Sequence, residues 1–214
     1  MKRSYYIFCL LMLVGFIIIA GCEQQSSTDT GNNALIDQDY LSSIILERSL
    51  KDSSMKFDPH SPFNRDSKAT FSPLKYYDVT PEFIFKSKLY KYDPVDTVIV
   101  FGTRGEVRKV LREGFVKLNY NGNEYNVNVY KAFGREGESY YSIWFTDRTT
   151  GKETYGVGRY LDFEKEADPE HIYTIDFNKA YNPYCAYSPE YTCPIPREED
   201  HIDMEIKAGE KNFH

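Results

Sequence analysis

Basic charge is in short supply: 26 Lys and Arg stand against 32 Asp and Glu, a formal net charge of −6. The clustered cations that neutralise a phosphate backbone are missing, so nucleic acid is not an expected partner. Four cysteines and four histidines are also few. None of them falls in the close Cys-x-x-Cys or His-x-x-x-His pairs of a zinc site, and His171, Cys185, Cys193 and His201 are too scattered to form one. No metal and no other cofactor is therefore expected. A Gly-x-Ser-x-Gly elbow is absent, which removes the signature of serine hydrolysis. Gly156-x-Gly158 is half a dinucleotide fingerprint with no helix pattern after it. Gly102-Thr103-Arg104-Gly105 lacks the Lys-Ser/Thr ending of a phosphate loop. There is no internal repeat, and no apolar run reaches the roughly 20 residues that span a bilayer as a helix.

The longest apolar run, Tyr5 to Ile19, is 15 residues broken only by Gly15, and it follows the basic Lys2-Arg3. Such a segment is expected to be a targeting leader rather than part of the fold. Ile19-Ala20-Gly21-Cys22 comes directly after it and resembles the lipobox of bacterial lipoproteins. That resemblance implies cleavage before Cys22 and acylation of this cysteine with palmitate-type chains. Several such chains hold a protein at a membrane without a spanning helix. Glu23 to Asn33 contains only Glu, Gln, Ser, Thr, Asp, Gly and Asn, the composition of a solvated tether. The expected organisation is a signal peptide over residues 1–21, a lipidated cysteine and flexible tether over 22–35, and one domain over 36–214. The expected location is the cell envelope, at the outer membrane where the host has one, with the domain facing a periplasm or equivalent. With Cys9 in the leader and Cys22 lipidated, Cys185 and Cys193 remain. An even pair in an oxidising compartment is expected to form a disulfide.

Within the domain, Ile36 to Leu50 carries a helical pattern, with Tyr40, Leu41, Ile44 and Ile45 on one side and Glu47 and Arg48 facing elsewhere. Asp37 or Asp39 caps its start. Lys51 to Tyr77 is broken by Pro59, Pro62 and Pro73 and reads as an ordered crossing with apolar feet at Phe57, Phe63, Phe71, Leu74 and Tyr76. Strand patterns follow at 83–90, 97–101, 107–111, 139–145, 159–163, 172–177 and 202–206. Val116, Leu118 and Tyr120 alternate before Asn121-Gly122, and Tyr125, Val127 and Val129 alternate after it, a hairpin with both apolar sets on one face. The fold class expected is mainly β (β-rich α+β): an antiparallel sandwich or open barrel braced by one amino-terminal helix. The 19 Tyr and 14 Phe are chiefly core-filling residues of such a sheet.

A series of segments then becomes specific: Thr154-Tyr155-Gly156-Val157-Gly158-Arg159, Asp176-Phe177-Asn178-Lys179-Ala180-Tyr181-Asn182-Pro183, Cys185-Ala186-Tyr187, Cys193-Pro194 and a closing Ala208-Gly209-Glu210. Together with Lys51-Asp52, Ser61-Pro62-Phe63 and Phe71…Leu74…Tyr76, this series resembles the family catalogued as domain of unknown function 1684, over roughly residues 40–211. Tyr184, Arg197 and Leu46 depart from the family pattern locally. The resemblance implies no activity.

The residues themselves leave two readings open. If the strands at 159–163 and 172–177 pair across the acidic loop 164–171, Arg159 stands opposite Asp176 and the two form an ion pair. The loop after Asp176 then presents Arg159, Asp176, Asn178, Tyr181, Asn182 and Tyr187 around a pocket for a small polar or carbohydrate-like ligand or an envelope partner, without turnover. In the other reading, Asn178 and Asn182 form Asx turns on their own loop, and the charges only staple strand ends. A hydrolytic enzyme with Asp176 as base, Arg159 as anion holder and Tyr181 as donor is the alternative function. A structural envelope protein is the third.

Overall fold

The computed structural model describes residues 36–66, 69–134 and 137–214. The expected leader over 1–21, Cys22 and the tether to residue 35 lie outside the described residues. Among the described residues, no helix is long and apolar enough to cross a membrane.

Helix α1 runs Gln38–Phe57, with the Asp37 side chain accepting from the Asp39 amide at 3.1 Å. It is two turns longer than the sequence pattern, because Met55 buries in a satellite core with Phe63, Leu74, Tyr187 and Phe213. Asp58-Pro59 stops it, since the residue before proline disfavours the α region. A single turn, α2 (Pro62–Arg65), follows with Ser61 as its cap. The inward side of α1 bonds to the crossing segment and to the loop after residue 176, not to a sheet face.

Strands β1 (Ile84–Ser87), β2 (Tyr90–Phe101), β3 (Val107–Tyr120), β4 (Asn123–Phe133), β5 (Ser139–Asp147), β6 (Arg159–Asp162), β7 (Tyr173–Asp176) and β8 (His201–Ile202) make up the β structure. The main sheet is an antiparallel meander, β2-β3-β4-β5-β6, with the two-residue β8 running parallel to the end of β5. β1 and β7 form a separate antiparallel ribbon. The sheets do not close into a barrel, so the mainly antiparallel fold with one amino-terminal helix is the open form of the expected architecture.

The hairpin forms at the expected place. Asn121 and Gly122 take φ of 49° and 77°, the left-handed pair of a two-residue turn, and Val116 stands opposite Val127. Val116, Leu118, Val127, Val129, Ile143 and Phe145 line one sheet face, against which Phe83, Phe85, Ile175 and Phe177 of the ribbon region pack. The opposite face carries a second cluster, in which Val98, Val100, Val110, Tyr130 and Trp144 meet Tyr160 and Cys193. The chain after β7 therefore covers the second face while β7 itself covers the first.

The expected pairing of the strands at 159–163 and 172–177 does not occur. β6 pairs with β5, placing Arg159 opposite Phe145, and a bridge joins Tyr160 to Tyr181 on its other side. β7 pairs with β1, placing Asp176 opposite Ile84. The reason lies in burial: Arg159, Tyr160 and Leu161 are all buried, so β6 needs cover on both faces, which a lone hairpin with β7 does not give.

Candidate functional site

Arg159 is 1% exposed and points into the protein. Its Nη2 donates to Asp147 Oδ2 at 2.6 Å and to the Ile206 carbonyl at 2.9 Å, and its Nη1 donates to the Ala208 and Glu210 carbonyls. Asp147 is itself buried and also accepts from the Thr149 amide at 2.6 Å. The guanidinium ties β6 to the end of β5 and to the carboxyl-terminal segment. Its carboxylate partner is Asp147 rather than Asp176.

Asp176 belongs to a different network. Its Oδ1 accepts from the Asn178 amide and from Asn178 Nδ2, both at 3.0 Å, and its Oδ2 accepts from the Tyr40 hydroxyl at 2.7 Å. Asn178 also donates to the Thr80 carbonyl at 2.7 Å and accepts from the Thr80 amide at 3.0 Å. The Asx-type turn here is made by Asp176, not by Asn178 or Asn182 as the second reading expected; the Asn178 side chain instead clamps α1 to the segment before β1. Burial first, and Asp176 beside it, push the Tyr40 phenol well above its ordinary value.

Asn182 and Tyr187 converge on a third centre, Glu210, which is 1% exposed. Glu210 accepts from the Asn182 amide at 3.2 Å, from Asn182 Nδ2 at 3.1 Å and from the Tyr187 hydroxyl, and pairs with Lys51 at 2.7 Å. Tyr181 donates to Asp162 at 2.7 Å, and burial followed by Asp162 raises its phenol well above the ordinary value. The six expected site residues thus divide among separate centres. Asn178 and Tyr181 line one cavity together.

That cavity, ≈ 310 Å³, opens between α1 and the loop after β7 and is lined by Ile44, Arg48, Lys51, Tyr76, Asn178, Tyr181 and Tyr184, among others. Arg48 faces inward, contrary to the sequence reading. Its Nη1 donates to the Tyr77 carbonyl at 2.9 Å, its Nη2 donates to the Asn178 carbonyl at 3.3 Å, and the guanidinium lies 4.5 Å over the Tyr76 ring. Among the described residues it is the one half-buried or buried arginine with no carboxylate in ion-pair contact. Burial accordingly pulls its pKa down, with Tyr76, Tyr40 and Asp176 opposing. Arg48 Nε and the Tyr76 hydroxyl both lack a partner among the described residues. Arg48 Nε is thus a donor left without an acceptor. Tyr40, Arg48, Lys51 and Glu210 were not among the expected site residues. The signal for three of them was present: Tyr40, Ile44, Arg48 and Lys51 recur at helical spacing on one side of α1.

The expected disulfide is not formed: Cys185 and Cys193 are free thiols. They are nonetheless neighbours, with the Cys185 amide donating to Cys193 Sγ at 3.4 Å. Cys185 has further polar company, since the Tyr155 hydroxyl lies 3.8 Å from its Sγ. Hydrogen bonding from Cys193 is the largest cause that brings the Cys185 thiol down to about 7, and the same contact pushes Cys193 far up. No group of three or more His, Cys, Asp or Glu is arranged to hold a metal ion among the described residues.

Comparison with known proteins adds family and fold. The family described as "Protein of unknown function (DUF1684)" matches residues 69–211. The chain is also similar to an uncharacterized protein from gene locus rrnAC0354 of Haloarcula marismortui, whose structure was determined by NMR in solution. The identity is 25% and the TM-score 0.59, over 81% of this chain and 94% of that one. No curated protein matches.

Proposed function

This chain belongs to the DUF1684 family of proteins of unknown function, and on that premise we propose that it is a membrane-held envelope protein whose domain binds a small polar ligand bearing a carboxylate, without turnover. One observation carries the binding reading: Arg48 lines the ≈ 310 Å³ cavity and its guanidinium donates to carbonyls, with no carboxylate in ion-pair contact among the described residues. A desolvated guanidinium without a carboxylate rewards an incoming anion more than one already paired. Lys51 and Lys179 also line the cavity but are paired with Glu210 and Glu47, and Asp162 accepts from Tyr181, so Arg48 is the cation of this lining with no acid in ion-pair contact among the described residues. Tyr76, Tyr181 and Tyr184 add aromatic surface. Turnover is disfavoured because the Asp176 carboxylate is occupied by three donors.

Galacturonate is the probe, with galactose as the ring that lacks the acid. Isothermal titration of the full chain is expected to detect galacturonate and not galactose. Arg48→Met is expected to weaken galacturonate about 10–100-fold, the worth of a charged hydrogen bond. Equal binding of both sugars, or an unaffected Arg48→Met, overturns the reading.

Membrane attachment rests on the Gly21-Cys22 sequence and gains support from α1. Leu46, Leu50 and Phe57 are 59%, 60% and 70% exposed and share one side of the helix, opposite the buried Ile44 and Met55. An exposed apolar stripe just past a lipid tether suits the interfacial zone of a bilayer. Cells fed radioactive palmitate are expected to label the wild-type chain and not Cys22→Ser. Label retained by Cys22→Ser overturns attachment through that cysteine.

A further inference from the structure

The Arg48 cavity does not stand alone. Tyr181 and Tyr184 also line a neighbouring cavity of ≈ 630 Å³, so the two are adjacent across these rings. We infer that together they form an extended groove for an acidic oligosaccharide, a chain of sugar rings carrying carboxylates; the inference rests on the reading of Arg48 given above and extends it.

The second cavity is walled by Tyr140, Tyr160, Tyr184 and Tyr191, with Arg108 and Lys109 at its border. Its rings are fixed before any ligand arrives. The Tyr160 hydroxyl donates to the Pro194 carbonyl, and that of Tyr191 to the His60 carbonyl at 3.1 Å. Tyr184 stands edge-on to Tyr191, with centroids 5.1 Å apart. Tyr184 and Tyr140 remain 45% and 41% exposed, leaving ring surface for a ligand. Rigid aromatic faces of this kind receive the C–H face of a pyranose at small entropic cost. Arg108 already pairs with Glu106, whereas Lys109 has no acid partner among the described residues and so is the cation left for a second carboxylate.

Charge also sets the direction in which the chain runs. On its other side, the Arg48 cavity meets a third one, ≈ 490 Å³, through Glu47, Asp162 and Lys179. That cavity adds Glu164, Glu166 and Asp176 to its lining. The acids of that lining repel a polyanion, which leaves the tyrosine-lined cavity, with Lys109 in its lining, as the extension for a chain seated on Arg48.

The test titrates the full chain with galacturonate, tetragalacturonate and the neutral cellotetraose. Tetragalacturonate is expected to bind at least tenfold tighter than the monomer, and cellotetraose to bind at least tenfold more weakly than tetragalacturonate. The double variant Tyr140→Ala/Lys109→Ala touches only the second cavity. It is expected to bring tetragalacturonate to the affinity of the monomer and to leave the monomer unchanged. If the monomer binds through Arg48 but the tetramer gains nothing, or the double variant changes neither, the groove is overturned and the Arg48 reading survives. If the tetramer binds through Tyr140 and Lys109 while Arg48→Met has no effect, the groove stands and the Arg48 reading falls. Displacement of tetragalacturonate by a proline-rich decapeptide at lower concentration than by unlabelled tetragalacturonate assigns the groove to a peptide and overturns the sugar.

Discussion

Arg159→Met is expected to cost about 3–5 kcal/mol, because it leaves Asp147 as an uncompensated carboxylate in the core. Both side chains of the pair are essentially out of solvent, at 1% and 0% exposure. Three backbone carbonyls, of Ile206, Ala208 and Glu210, also lose their donor. Methionine fills much of the volume but restores none of these bonds, so the loss is electrostatic and not a cavity effect. Urea unfolding, followed through the single tryptophan, Trp144, which is 1% exposed, reads the change directly. Removing the stranded charge as well, in Arg159→Met/Asp147→Leu, is expected to recover part of the loss. A single variant that unfolds within about 1 kcal/mol of wild type contradicts this account.

Gly158→Ala is expected to be nearly as damaging, at about 3 kcal/mol. Gly158 has φ of 114°, outside even the left-handed helical region that Asn tolerates. A Cβ placed there would lie 2.6 Å from the Phe145 carbonyl oxygen and 2.9 Å from Pro196 Cγ. Backbone strain and overpacking each contribute on the order of 1–3 kcal/mol. Gly105→Ala separates the two, since Gly105 has φ of 84° but a Cβ added to it would meet nothing within 4 Å. It is expected to lose only about 1 kcal/mol. Similar urea midpoints for the two variants at unchanged slope argue against the close approach as the cause.

The elements with their own local signal were legible in the sequence. Asn121-Gly122 fixed a hairpin, alternation in 116–129 fixed which side faces the core, and the spacing of Tyr40 and Ile44 fixed a helix. Pairing between distant elements was not legible. β6 and β7 are four residues each, too short for a pattern to choose a partner, and adjacency in sequence favoured the wrong one. Asp147 carries no local mark of its tie to Arg159, because the partners lie on different strands. Arg48 was misplaced for a related reason: charge on a helix ordinarily faces water, and only the crossing segment and the loop after β7 make its inward position favourable. The cysteines were correctly brought together, but proximity in the chain does not state the bond between them.

The carbonyl acceptors of Arg159 lie 47 to 51 residues further along the chain. At about 5–20 residues per second, a ribosome needs some 2–10 s to deliver them after Arg159 itself. During that interval β5 and β6 hold a cation without its cradle, and the native arrangement is out of reach. A nascent polypeptide of this kind postpones its final collapse until its last segment has emerged.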